Sequence, residues 1–297
     1  LPFGLPGVNK GKKVSNANYL WLSYFYSYLN ENGRAGVVMS SQASSAGRDE
    51  AAVRQKIVET GAVDVMIDIR GNFFYTRTVP CQLWFFDRAK ERDEMRREQV
   101  LMLDARNIYR KVSRAIYDFS PEQQKNIAAI VWLYRGQGER FLRLVESYIE
   151  QAVTAGAAAG APLCAFTQAL DKLAGLVQPF AAKERNSDPL AETWNELAAQ
   201  RARLASDIAA LEAEVTARAE DWSKTERDNA GLTSMRKALR AAADRCRDLT
   251  MSIDLAAKLA RRAVDIAVKD LEARESDDWP GAEITRARKA LETARAE

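Results

Sequence analysis

The spacing of hydrophobic and polar positions divides this chain into two regimes. Residues 16–32 carry Tyr19, Leu20, Leu22, Tyr24, Phe25, Tyr28 and Leu29, an aromatic-rich run that predicts a helix with Asn16 as its cap and Gly33 just past its end. A short apolar run at 35–40 has the character of a buried strand. Residues 47–60 form a polar amphipathic helix stopped by Gly61, and 63–69 form a second strand. A third strand at 79–87 contains Leu83, Trp84, Phe85 and Phe86, and a shorter fourth covers 100–104. The segment 71–78 is too short for a crossover helix, so strands two and three should pair antiparallel. This rhythm predicts a wound α/β sheet ending in a hairpin.

From Ser120 onward the pattern turns helical. Ser120-Pro121-Glu122-Gln123 is a capping box with proline in the first helical position. Residues 152–162, rich in Ala and Gly, read as a loose linker or frayed helix end. Leu190, Trp194, Leu197, Leu204, Ile208, Leu211, Val215 and Trp222 then follow steps of four and three, with Arg201 and Arg218 in the gaps. After a break at 223–231, a second seam runs through Leu232, Met235, Leu239, Cys246, Leu249, Ile253, Ala256, Ala260, Val264 and Leu271. The two helices should fold back as an antiparallel pair. Trp279-Pro280-Gly281 ends that pair, and a short charged helix closes the chain.

Composition narrows the chemistry. The 297 residues suffice for one large domain or two ordinary ones. A net charge of +3, from 44 basic and 41 acidic side chains, gives little overall pull toward nucleic acid and leaves local patches to supply it. With no histidine, the commonest general base and metal ligand is missing. Cys81, Cys164 and Cys246 are far apart and form no CxxC pair, which argues against zinc or redox chemistry, and such sparse cysteines fit a reducing cytoplasm. No apolar run reaches the ~18 residues of a membrane span, and the first residues lack the pattern of a signal peptide. The absence of an initiating Met suggests a fragment.

Several residues are candidates for function. Phe73, Phe74 and Tyr75 lie between two strands, where three adjacent aromatics cannot all face one core. Arg70 and Arg77 flank them and could meet phosphate. Ser40, Ser41, Ser44 and Ser45 follow a strand, where ligands of wound sheets gather; Ser40 and Ser41 are the candidate ligand loop. Asp64 and Asp68 could point the same way from their strand, but a place at a sheet edge or on backbone fits them better than catalysis. The basic residues Arg88, Lys90, Arg92, Arg96 and Arg97 are interleaved with acids and read as a solvated loop. No catalytic residue and no metal site is assigned.

Three stretches together resemble the modification subunit of type I restriction-modification systems. They are Asn16 to Leu22 running on through Leu29 to Ser40, Gly71 to Phe86, and Asp104-Ala105-Arg106-Asn107 followed by Tyr117 to Glu122. The resemblance implies a DNA adenine-N6 methyltransferase that uses S-adenosylmethionine. The implied fold is α/β followed by all-α: the C-terminal half of a wound methyltransferase-like sheet, then a helical, coiled-coil-like region. The implied domains are 1–118 for the methyltransferase part, 119–162 for a helical connection and 163–297 for subunit association. The family's glycine-containing cofactor loop and its Asn/Asp-Pro-Pro-Phe/Tyr sequence do not occur in this chain, so the chain alone should be inactive. The family's equivalent of loop 71–78 packs an aromatic on the flipped adenine, which by resemblance falls to Phe74 or Tyr75. Implied partners are DNA, the specificity and restriction subunits, and a missing N-terminal methyltransferase segment, with no membrane. The alternative is a non-enzymatic helical module that docks onto the specificity subunit; it predicts no cleft and an apolar helix face left open.

Overall fold

The computed structural model describes residues 2–8, 10, 13–14, 17–74, 78–181, 188–272 and 279–297, at position 188 the backbone only. The chain divides into two compact units, Leu1–Phe141 and Leu142–Glu297.

The first unit is built on four strands: β1 (Arg34–Ser40), β2 (Val63–Ile69), β3 (Cys81–Asp87) and β4 (Leu101–Asp104). Their order across the sheet is β1-β3-β2-β4. β3 pairs antiparallel with both β1 and β2, and β2 pairs parallel with β4. The expected hairpin therefore forms, and its second arm wedges between two strands that run parallel to one another. A small hairpin of β5 (Arg110–Lys111) and β6 (Tyr117–Asp118) follows.

Alternation along the strands supplies two apolar faces. Val37, Met39, Trp84 and Phe86 pack with Tyr19 and Leu22 of α1 (Asn18–Ser27) and with Val53 and Ile57 of α3 (Arg48–Glu59). A one-turn α2 (Gln42–Ser45) joins β1 to α3. On the other face, Val65, Ile67, Leu83 and Phe85 meet Ile127 and Val131 of α4 (Pro121–Tyr134). The α4 capping box is complete: Gln123 N donates to Ser120 Oγ at 3.2 Å, and Ser120 N donates to Gln123 Oε1 at 2.9 Å.

At the amino ends of the parallel strands lies a charged cluster. The register shifts between Val63 and Val65, which takes Asp64 out of strict alternation. Its fully buried carboxylate accepts from Arg135 Nε at 2.9 Å and lies 3.8 Å from Arg96 Nη1. Lys90, also fully buried, donates to Gly61 O at 3.0 Å and Val63 O at 2.6 Å. The solvated loop read for 88–98 thus needs correcting at Lys90, whose ammonium closes the backbone beneath the sheet. Asp64 and Asp68 do not form a pair, because Asp64 is spent on Arg135.

The second unit is helical: the greater part of α5 (Gly138–Ala158), then α6 (Gly160–Ala181), α7 (Asp188–Lys224), α8 (Asn229–Glu272) and α9 (Gly281–Ala296). The heptad leucines Leu190, Leu197, Leu204 and Leu211 are buried against Leu249, Ala256, Ala260 and Val264 of α8. Leu163, Phe166, Leu170, Leu173 and Val177 of α6 and Ile284, Ala287 and Leu291 of α9 complete this core. Cys246 departs from the expected seam and is exposed. A polar layer crosses the α7–α8 pair: Gln200 Nε2 donates to Ser252 Oγ at 2.8 Å and Ser252 O at 3.1 Å. Such a layer fixes the register of an otherwise apolar seam.

The linker expected at 152–162 is helical, broken only at Ala159. Alanine is the strongest helix former, and Gly156 lets Val215 approach so closely that a Cβ there would lie 3.2 Å from its Cγ1. Gly138–Ala181 is long and apolar enough to cross a membrane by length and composition, which corrects the expectation that no apolar run reaches a membrane span. Buried side chains of α6 spend part of this stretch on the core of the unit.

Candidate nucleic-acid interface

In an open wound sheet, ligand contacts collect where the parallel strands end. Here that edge holds Ser40, Asp68 to the hairpin root, and Asp104. Backbone bonds tie its loops together. Ser41 N donates to Pro80 O at 3.2 Å, and Ala105 N donates to Asp68 O at 2.9 Å. Ser40 and Ser41 lie at the turn into α2, both partly buried, and Ser40 Oγ accepts from Gln42 N at 3.4 Å.

Gly71 makes the root of the β2–β3 hairpin possible. A Cβ there would lie 2.2 Å from Thr78 O, so only glycine lets the two arms approach this closely. Asn72 follows in the left-handed region, at φ 66°. The aromatics then diverge. Phe73 turns inward onto Phe119, with ring centroids 4.6 Å apart. Phe74 points outward and is 39% exposed. Tyr75 and Arg77 lie outside the described residues. Of the aromatics named from sequence, Phe74 is the described one with a free face.

Arg70 has a different setting from the one the sequence suggested. Its guanidinium lies 4.1 Å from the centre of the Tyr109 ring and 4.0 Å from that of Tyr117. The two rings stand edge to face at 5.1 Å. A cation held against aromatic faces in this way is an anchor. Tyr117 N also donates to Asn72 O at 3.1 Å. The β5–β6 hairpin is thus clasped to the aromatic loop by a cation–π stack and a backbone bond.

Two acids around this edge are occupied. Asp104 is bound by Arg106 at 2.8 and 2.7 Å, and that contact holds its carboxyl down at about 2. Asp118 is bound by Arg110 at 2.9 and 2.6 Å, which lowers its pKa as well. Both therefore stay ionised through the neutral range and cancel the arginines they hold. Sequence reasoning missed Tyr109, Tyr117 and the hairpin that carries them. The only signal was two tyrosines eight residues apart in a segment without helical or strand periodicity.

A cavity of about 420 Å3 opens between the sheet and α4, lined by Val65, Ile67, Leu83, Phe85, Val131 and Arg135 among others. It lies beside the middle of the strands and has no carboxylate in its lining. No group of side chains suited to a metal ion occurs among the described residues.

Comparison with known proteins places this unit. Residues 8–149 match the N-6 DNA methylase family. Over 112 residues the chain is 35% identical to the type I restriction enzyme MjaIX methylase subunit of Methanocaldococcus jannaschii, covering 38% of this chain and 20% of that protein. Over 114 residues it is 30% identical to the HindI methylase subunit of Haemophilus influenzae, covering 38% of this chain and 25% of that protein. A crystal structure of a type I restriction-modification system methyltransferase subunit from Streptococcus thermophilus aligns with 41% of this chain and 25% of its own, at 20% identity and a TM-score of 0.37. The chain spans about a fifth to a quarter of the length of these curated relatives. The resemblance read from three sequence stretches is borne out: residues 8–149 match the N-6 DNA methylase family, and the relatives they resemble are methylase subunits of type I restriction enzymes.

Proposed function

We propose that this chain supplies part of the catalytic domain of a DNA adenine-N6 methyltransferase subunit in a type I restriction-modification system. The observation that carries this reading is the glycine-rooted hairpin, with Phe74 exposed at the ligand end of a sheet in a family of DNA methylases. An enzyme that modifies a base must draw it out of the duplex and hold it on an aromatic or apolar face. Phe74 is the described residue suited to that contact, worth roughly 1–3 kcal/mol per stacked base. Loop 40–45 lies at the same edge and can meet the base or the cofactor from the side. On this reading the four strands form one end of a methyltransferase-type sheet.

The reaction would move a methyl group from S-adenosylmethionine to the exocyclic nitrogen of adenine. On this reading the glycine loop and the Pro-Pro motif that the resemblance implies, absent from this sequence, come from another polypeptide segment. The implied partners are that segment, the specificity and restriction subunits, and DNA, in the cytoplasm. The alternative reading as a helical docking module needs an open apolar seam, and the α7–α8 seam is filled from within its own unit.

Calorimetric titration of S-adenosylmethionine into the chain, and into the chain mixed with a segment carrying the cofactor loop, tests the proposal. Binding only in the mixture, followed by methyl transfer to DNA when the specificity subunit is added, is the expected result. Binding in neither case contradicts it.

A further inference from the structure

We propose that the β5–β6 hairpin is a DNA-backbone contact, with Lys111 and Arg114 as its phosphate-binding residues. The inference rests on the methyltransferase reading and adds a site to it. Residues 110–115 are all exposed, and Val112 is 56% exposed at the tip. Four cations crowd the segment 106–114, but Arg106 and Arg110 are neutralised by Asp104 and Asp118. Lys111 and Arg114 have no acidic partner among the described residues. A protruding turn with two uncompensated cations suits a polyanion.

Position makes the polyanion a duplex. The Arg70 stack on Tyr109 and Tyr117 fixes the hairpin to the loop that carries Phe74. The bond from Tyr117 N to Asn72 O holds the same two segments in register. Any base reaching Phe74 brings its flanking phosphates toward this hairpin. Contacts to phosphate position the protein without reading sequence, which suits a subunit whose target choice comes from elsewhere. Arg70 acts here through the tyrosines and is a positioning residue.

The test is fluorescence anisotropy of a labelled DNA duplex with the full chain, measured across salt from about 50 to 200 mM. Lys111→Gln with Arg114→Gln is compared with a control pair, Arg236→Gln with Lys237→Gln, exposed on α8 and equal in charge change. The hairpin pair should weaken binding about tenfold and flatten the salt slope by about 2, one unit for each lost phosphate contact. The control should leave both nearly unchanged. A parent chain that does not bind the duplex, an unchanged slope, or an equal loss in the control overturns the proposal. Cofactor titration separates this from the reading beneath it. Cofactor binding with an unchanged slope sinks the hairpin alone, whereas a specific slope loss without cofactor binding in the mixture keeps the hairpin and sinks the methyltransferase.

Discussion

The two units spend their apolar residues in opposite ways. In the helical unit the heptad positions close on one another, and only Met251 and Leu255 remain as exposed large apolar side chains among the described residues. The α/β unit leaves many more in water. Val38 is 51% exposed on β1, whose outer edge has no strand partner among the described residues. On α1 and its C-cap, Trp21, Tyr24, Phe25 and Tyr28 form an exposed stripe at three- and four-residue spacing, opposite the buried Tyr19 and Leu22. The helical unit is therefore a finished core, and the α/β unit is a sheet with surface still to cover. Contiguous exposed apolar surface of this kind marks an interaction site.

The sharpest test separates the two stabilities. Asp64→Asn leaves Arg135 without its buried counter-charge and removes one of the acids facing Lys90, and should cost the α/β unit about 3–5 kcal/mol. Leu204→Ala empties a site that is 1% exposed in the helical core, and should cost that unit about 2–5 kcal/mol. Calorimetry of the parent chain should show two transitions, with each variant lowering only its own. A single transition displaced by both would mean that the units melt as one body.

A smaller effect is expected at the hairpin root. Gly71→Ala places a methyl group against Thr78 O, so the arms must spread, at a cost of about 1–3 kcal/mol. Hydrogen exchange should rise at the described residues 70–74 and 78–81 while the helical unit keeps its protection. Unchanged exchange would show that the hairpin absorbs a side chain there.

Next comes association. The stripe on α1 should make the chain oligomerise as its concentration rises, and Trp21→Ser with Phe25→Ser should weaken that tendency. Sedimentation velocity over a concentration series reads both. A monomer at every concentration would show that the exposed rings are tolerated in water.

The sequence exposed some of this and hid the rest for physical reasons. Leu190, Leu197, Leu204 and Leu211 announce their burial because a heptad is a local pattern. The Ser120–Gln123 cap is likewise complete within four residues. The insertion of β3 between β1 and β2 depends on pairings 12 to 53 residues apart, from Ile69 with Cys81 up to Arg34 with Asp87, and local periodicity does not carry it. The shift at Asp64 breaks the alternation by which Asp64 and Asp68 could have pointed the same way. At the candidate site, Phe73 and Phe74 were recognisable as a group. Which of them faces outward is decided by Phe119, and the clasp on Arg70 by Tyr109 and Tyr117, both of which need the third dimension.

The smallest predicted effect lies at high pH, and it concerns the α/β unit alone. Burial, reinforced by its hydrogen bond to Glu91 at 2.7 Å, pushes the Tyr26 phenol up from 10.0 to about 12. The folded state therefore favours the neutral phenol. That contribution is complete below pH 10 and is lost as the pH rises from 10 toward 12. Lys90 acts in the other direction: burial lowers its pKa from 10.5, so the cost of its buried ammonium is relieved as the pH rises toward that value. Urea midpoints for the α/β unit should level off or rise on approaching pH 10, then fall above it. Tyr26→Phe should flatten the fall and leave the earlier branch intact. A variant that falls as steeply as the parent would show that another group titrates there.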